Sequence, residues 1–393
     1  MRIALEDEEA AIDVYKAHNT GRRVMGTQSH LPIEVDVAII GAGPVGLAMA
    51  IEMSRRVDSV VVVDKRPPPE LDTLRPQMLV ARPGDLANLK RLGVDMSVTS
   101  ILTKRCQNDP DTGELACATL PTITKPKRAI DLAELAAQAP AALVPIGRLQ
   151  QALLSVARLR RVEVVYDFDA VRLRRHTRNT MITSADGVTV RAKLVVIATG
   201  AARELVREPA MIGASQRMIA GVFAWGVNST WTRFNVAVRG FARPALATVL
   251  QTPSTGTAVI VGTPVTSPSD EQLHSCFATA AIERALGGAP LLAAPRPFVT
   301  TVSSVARRVF AYDGHAPVVI AGDAAQTGHV FTGQTCFINI ALALELCRDL
   351  GDFTRPGQKE QINWALTRYE RASDVGAAIL ARASTRLVRV ASA

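Results

Sequence analysis

In the run GAGPVG, Gly41 opens a tight turn, Gly43 leaves the backbone bare for an approaching anion, and Gly46 lets the next helix pack closely on the preceding strand. Ala42, Pro44 and Val45 complete the turn, and the N–H groups that begin the following helix point partial positive charge at the same spot. Ahead of the turn VDVAII is a run of strand formers, and behind it LAMAIEMSRR has apolar residues at helical spacing. A second apolar run, SVVVV, ends in Asp64 and Lys65. Asp64 lies 23 residues beyond Gly41, where a carboxylate can accept the hydroxyls of a ribose. A glycine pattern alone is a weak signal. Strand, turn, helix, second strand and acidic residue together predict the seating of an adenine dinucleotide, with FAD and NAD both open.

The choice between them falls to residues 318–346, VVIAGDAAQTGHVFTGQTCFINIALALEL, which read as a strand, the pair Gly322-Asp323, a loop with Gly328 and Gly333, and an apolar helix. This stretch resembles the second FAD signature of the single-component (group A, p-hydroxybenzoate-hydroxylase-like) flavoprotein monooxygenases. The resemblance implies that Asp323 bonds the ribityl hydroxyls and that amides around Gly333, Gln334 and Thr335 face the pyrimidine side of the flavin. Helix-end N–H groups stabilise negative charge there. Shorter stretches follow in the family's order. PQMLVARPGDLANLKRLGV looks like its segment ending in a leucine-spaced helix. VPIGRLQQALLSVA is similar to its pyrophosphate-side helix, with Arg148 and Gln150 as contacts. AKLVVIATGAARELVRE holds the place of its DG motif, with Gly200 and Arg203 matching.

Departures from the family pattern cluster around the ring rather than the cradle. Thr199 replaces the aspartate of the DG motif, a residue the family ties to both flavin and NADPH, so the departure bears directly on NADPH or NADH as reductant. Gln326 stands for a histidine, His329 and Val330 for paired prolines, and Thr335 for a glycine. His329 is the titratable side chain that its place in the loop sets beside the ring, and it is the candidate catalytic acid, base or hydrogen-bond donor. Filling a loop position is its plainer role. Cys336 could likewise present a thiolate to the ring or simply pack.

The elements that must position these groups predict an α/β fold: a Rossmann-like FAD-binding domain of the glutathione-reductase type with an inserted, mainly antiparallel β-sheet substrate domain. Residues 1–30 read as an N-terminal extension, and 31–105, 144–210 and 310–393 as the pieces of the FAD domain, the last carrying C-terminal helices. Residues 106–143 read as a substrate-side insertion and 211–309 as the sheet domain. Within the latter, MIAGVFAWGV, FNVAVRG, LATVLQ and TAVIVG are strands, with a hairpin through TPSTG. SDEQLHSCFATAAIERALGG has helix start and stop signals, and PFVTTVSSVARRVFAY is a strand returning to the FAD domain. Trp225, Trp231, Arg239, Tyr312 and His315 are candidates to line a substrate cavity, beside the plainer reading of each as core or surface.

Composition narrows the alternatives. Over 393 residues, 48% are hydrophobic and 21% charged, a globular balance, and no apolar run is long enough to cross a bilayer. The net charge of +9 comes from scattered arginines with only 4% aromatics, so nucleic acid is not an expected partner. A small-molecule substrate is expected, and oligomeric state is left open. The acidic N-terminus lacks leader features, which points to the cytoplasm. Five dispersed cysteines without a CxxC suggest reduced thiols and neither disulfides nor a metal site. GHVFTGQT has P-loop spacing but Gln334 where lysine is required; GxSxG, HExxH and a second GxGxxG are missing, and AWGVNSTW does not supply the halogenases' WxWxIP. The expected activity is FAD-dependent hydroxylation or epoxidation of a bulky apolar molecule, as in secondary metabolism. The rival is a redox-neutral cyclase or isomerase that keeps FAD as a scaffold.

Overall fold

The computed structural model describes residues 33–69, 77–108, 115–119, 132–200, 205, 211–212, 215–224, 230–236, 245–252, 256–261, 269, 271, 291–293, 296–301, 303–305, 309–310, 313–328 and 333–392. The expected N-terminal extension, all but two residues of the helix expected at 269–288, and the turn of the TPSTG hairpin lie outside them.

At the centre is a parallel sheet ordered Val318–Ile320, Thr189–Ile197, Ile33–Ile40, Val60–Val63, Glu163–Val165. The strands Ile33–Ile40, from Val37 on, and Val60–Val63 are apolar at successive positions because both of their faces are covered. Val37, Ile39, Val60 and Val62 join one core, packed under the helices Pro44–Met53, Ile146–Leu159 and Thr335–Leu350. Ala38, Ile40, Val61 and Val63 join a second, covered by Phe168 and by Ile182 of the antiparallel meander Ala170–Arg175, Thr180–Ser184, Thr189–Ile197.

A second sheet of eight strands is antiparallel except for one pair. Its path runs Leu291–Ala293, Ser215–Ala224, Gly256–Val261, Ala245–Gln251, Thr230–Val236, Lys104–Asn108, Leu115–Thr119, with Arg296–Thr301 also on Ser215–Ala224. A small antiparallel sheet, Met78–Ala81, Ala142–Pro145 and Ser100–Ile101, packs against the large one through Met78, Val80, Leu143, Trp231 and Leu250.

Two expectations need correction. Cys106 and Cys117 are not reduced thiols but a disulfide, because the antiparallel register of Lys104–Asn108 on Leu115–Thr119 places them directly opposite each other. The segment expected as one returning strand is three: Arg296–Thr301 in the large sheet, Ser303–Val305 in a small sheet with Met211–Ile212 and Gln326–Gly328, and Val309–Phe310 at the edge of the parallel sheet. A single run of β formers thus serves three sheets in turn as the chain crosses between them. The C-terminal helix Lys359–Ser392 lies along Thr335–Leu350 and is tied to the parallel sheet by Tyr369, whose hydroxyl donates to the Ile320 carbonyl at 3.0 Å.

The glycine turn tolerates side chains unequally. Gly41 has φ of +117°, and a Cβ there would meet the Ala198 carbonyl; a Cβ on Gly46 would meet the Gly41 carbonyl. A Cβ on Gly43 would meet nothing within 4 Å. Gly46→Ala should therefore lower the unfolding free energy of the apoprotein by roughly 2 kcal/mol or more, and Gly43→Ala by less than about 1 kcal/mol, as measured by urea denaturation.

Candidate functional site

The C-terminal ends of the parallel strands open onto a cleft of about 500 Å³. After Ile33–Ile40 the lining is Gly41 and Gly43–Val45; after Val60–Val63 it is Asp64–Arg66; after Thr189–Ile197 it is Ala198–Gly200; after Val318–Ile320 it is Gly322 and Asp323. Phe168–Val171, Ile146 and Cys336 supply other walls. Segments more than 250 residues apart in sequence thus meet at one opening because their strands lie side by side.

Gly43 presents its bare face to this cleft, with the first turn of Pro44–Met53 behind it. The turn is held from two further directions. Asp64 Oδ2 accepts from the Ala42 amide at 2.7 Å, and Gln150 Nε2 donates to the Ala42 carbonyl at 2.7 Å. Gln150 therefore sits behind the turn, while Arg148 is exposed on the first turn of Ile146–Leu159 and outside the cleft lining. A diphosphate fits this geometry: backbone approach is open at Gly43, and a helix N-terminus faces the space.

Asp64 is 4% exposed and has a second partner that sequence reasoning passed over. Arg66 donates Nε to Oδ1 at 2.9 Å and Nη2 to Oδ2 at 2.7 Å, and its amide adds a third bond at 2.9 Å. Burial works against charge on this carboxyl, yet the Arg66 side chain and amide, with the Ala42 amide, hold it below its ordinary value. The same contact, against the penalty of burial, raises the Arg66 guanidinium. Lys65, beside them, is exposed at the cleft.

At the other end, Gly322 has φ of +67° and packs on Val45, so the two signature turns touch. Asp323 lines the cleft and accepts from Asn339 Nδ2 at 3.3 Å. Asn339 Oδ1 accepts from Gln326 Nε2 at 3.0 Å, so the glutamine found in place of the family's histidine is part of a buried amide network. Asn339 was missed from sequence; its signal was a polar residue inside the apolar run FINIALALEL. Phe168 and Asp169 carried no motif and were missed as well. Thr199 and Gly200 line the cleft. Gly333 has φ of +59° and packs on Val80, whose amide donates to its carbonyl at 3.3 Å; Gln334 and Thr335 begin the helix Thr335–Leu350.

His329 lies outside the described residues, as do Val330, Arg203, Trp225, Arg239 and Tyr312. His315 is on the surface, its Nδ1 3.5 Å from Asp313. Trp231 is buried in the large sheet. Among the described residues no cluster of histidine, cysteine or carboxylate is arranged for a metal ion, and no helix is long and apolar enough to cross a membrane.

A depressed folded-state pKa contributes stability that is complete above the unfolded value and is lost as pH falls through the folded one. The Asp64 clasp is thus at full strength above about pH 4 and fades below it. Urea unfolding across the acid range should show wild-type stability declining below that point, and Asp64→Asn should flatten the decline.

Comparison with known proteins places this geometry. Residues 34–382 match the model of a family described as FAD binding domain. No curated protein matches the chain in sequence. Among solved structures it is similar to PqsL of Pseudomonas aeruginosa, a probable FAD-dependent monooxygenase, at 18% identity and a TM-score of 0.66, covering 91% of this chain and 96% of that one. It is similar to p-nitrophenol 4-monooxygenase of Pseudomonas putida at 17% identity and a TM-score of 0.67, covering 90% and 89%. A Diels–Alderase of pyrroindomycin biosynthesis aligns at 20% identity and a TM-score of 0.61, covering 90% and 73%. At such identities the likeness is one of fold. The family match runs through both glycine turns and nearly all of the chain between its ends: the protein belongs to the FAD-binding-domain family.

Proposed function

We propose that this protein is an FAD-dependent monooxygenase that hydroxylates or epoxidises a bulky, largely apolar small molecule of secondary metabolism. The observation that carries this reading is the single cleft shared by the first glycine turn, Asp64 and the Gly322-Asp323 turn. In it, the bare amides around Gly43 and the helix behind them would hold the diphosphate. Asp64 would hold the adenosine ribose once Arg66 yields part of its fork, and Asp323, steadied by Asn339, would hold the ribityl chain. The amides of Gly333, Gln334 and Thr335 would meet the pyrimidine edge.

Bound FAD, once reduced, supplies the reaction with dioxygen, and the polypeptide supplies orientation and a dry enclosure. We assign the large antiparallel sheet to the substrate side. His329, six residues beyond Asp323 in sequence, is our candidate for moving a proton. NADPH or NADH is the proposed electron source.

A second reading is supported by one feature. Thr199 lines the cleft at the position where the resemblance implies an aspartate linked to NADPH, which favours a redox-neutral cyclase or isomerase that retains FAD as a scaffold. The Diels–Alderase among the structural neighbours has this fold.

Anaerobic mixing of the FAD-loaded protein with NADPH or NADH separates the two. Bleaching of the flavin absorbance is expected for the monooxygenase; persistent colour with both nucleotides, together with turnover in the absence of oxygen, would establish the cyclase. Gly43→Val should purify colourless, since its side chain would occupy the diphosphate's approach, and Asn339→Leu should weaken FAD retention several-fold by releasing Asp323. Yellow Gly43→Val protein would overturn the placement.

A further inference from the structure

A second, much smaller cavity lies where the large sheet faces the strand Met78–Ala81 and the Gly333 turn. It has a volume of about 20 Å³, room for one water-sized group. Three of its lining residues carry a buried polar atom with no hydrogen-bond partner among the described residues: Gln77 Oε1, Trp231 Nε1 and Thr248 Oγ1. Trp231 is 5% and Thr248 3% exposed. Pairing explains why they meet. Trp231 lies opposite Leu250 and Thr248 opposite Arg233, so Trp231 and Thr248 share one face of the sheet, and Gln77 enters just ahead of the strand packed on that face.

Each such orphan has given up water without a replacement partner, and three in the lining of one void are poorly explained by apolar packing. Their chemistry is specific: an indole N–H that only donates, an amide oxygen that only accepts, and a hydroxyl that does both. A ligand hydroxyl complements all three, since it donates one bond and accepts others. A carboxylate has no proton for Gln77 Oε1. The guanidinium carbons of Arg233 and Arg105 lie 4.4 Å and 4.9 Å from the centroid of the Trp231 ring and hold the indole in place.

We infer that this cavity is the subsite for a hydroxyl group of the substrate, with Trp231, Thr248 and Gln77 as specificity-determining residues. The inference rests on the proposal that substrate binds on the sheet side of the flavin. It names a neutral hydroxyl-bearing molecule as the class accepted.

Phenol and toluene, similar in size and differing in one hydroxyl, are the probes. Calorimetric titration of the FAD-loaded protein should show phenol binding about tenfold or more tightly than toluene. Thr248→Val and Trp231→Phe should each remove most of that preference, weakening phenol about tenfold, while toluene affinity and FAD retention stay unchanged; Thr248→Ser should restore the preference. Equal binding of the two probes by the wild type would overturn the inference. Equal weakening of both probes in the variants would assign Trp231 and Thr248 to structure alone, and loss of FAD would assign them to the flavin. Because the readout is binding without turnover, a protein that NADPH fails to reduce is still tested here, so failure of the monooxygenase reading and failure of this one are distinguishable.

Discussion

The whole site depends on a backbone contact that leaves no room for a side chain. Gly41, Gly46 and the Ala198 carbonyl approach so closely that the first strand, its helix and the neighbouring strand Thr189–Ile197 can meet only if the two glycines are bare. With those positions filled by backbone, one face of the turn remains open, and it is the face of Gly43. Asp64 and Gln150 then grip Ala42 through its amide and its carbonyl, so the residue between the glycines cannot rotate to close the opening. The open face is thus preorganised by packing, and an anion bound there would not have to order the loop itself.

Buried polar groups fix the surrounding loops in the same way. Arg82 and Asp85 are fully buried; the guanidinium spans Asp85 Oδ2 at 2.9 Å and the Leu135 carbonyl at 2.9 Å, while burial pushes the Asp85 carboxyl up. Such a pair adds little net stability, but it is costly to break, and it specifies where the helix Pro83–Leu92 starts. That start sets the strand Met78–Ala81, which forms a wall of the small cavity and backs the Gly333 turn. A buried ion pair outside the lining of the FAD cleft thereby helps place the strand that backs the second signature turn.

Legibility in the sequence followed the kind of constraint. The glycine turn and the doubly buried strands Ile33–Ile40 and Val60–Val63 were readable because steric limits and two-sided burial act on consecutive residues. Four strands of the large sheet between 215 and 261 were readable from their β formers, but Lys104–Asn108, Leu115–Thr119 and Leu291–Ala293 were not, nor that Arg296–Phe310 would serve three sheets, since a run of β formers does not name its partner. The Cys106–Cys117 pair depended on hairpin register, which spacing alone does not disclose. Arg66 and Asn339 escaped because their work is to hold Asp64 and Asp323, and a supporting side chain has no motif of its own.

The division between what matches the family pattern and what departs from it has the same physical origin. Gly41, Gly46 and Gly322 act through backbone atoms, where any added Cβ must strain the turn or displace a neighbour. Thr199 and Gln326 differ from the pattern in their side chains, where exchange leaves the backbone of the turn intact. Gln326 shows how such an exchange is accommodated: its amide nitrogen donates to Asn339, which keeps its bond to Asp323, while its buried Oε1 has no partner among the described residues. The backbone of the cleft can therefore stay unchanged while the side chains around it vary. The same fold occurs in a monooxygenase and in a Diels–Alderase among the structural neighbours, so the chemistry has to be decided at the side chains and not at the turns.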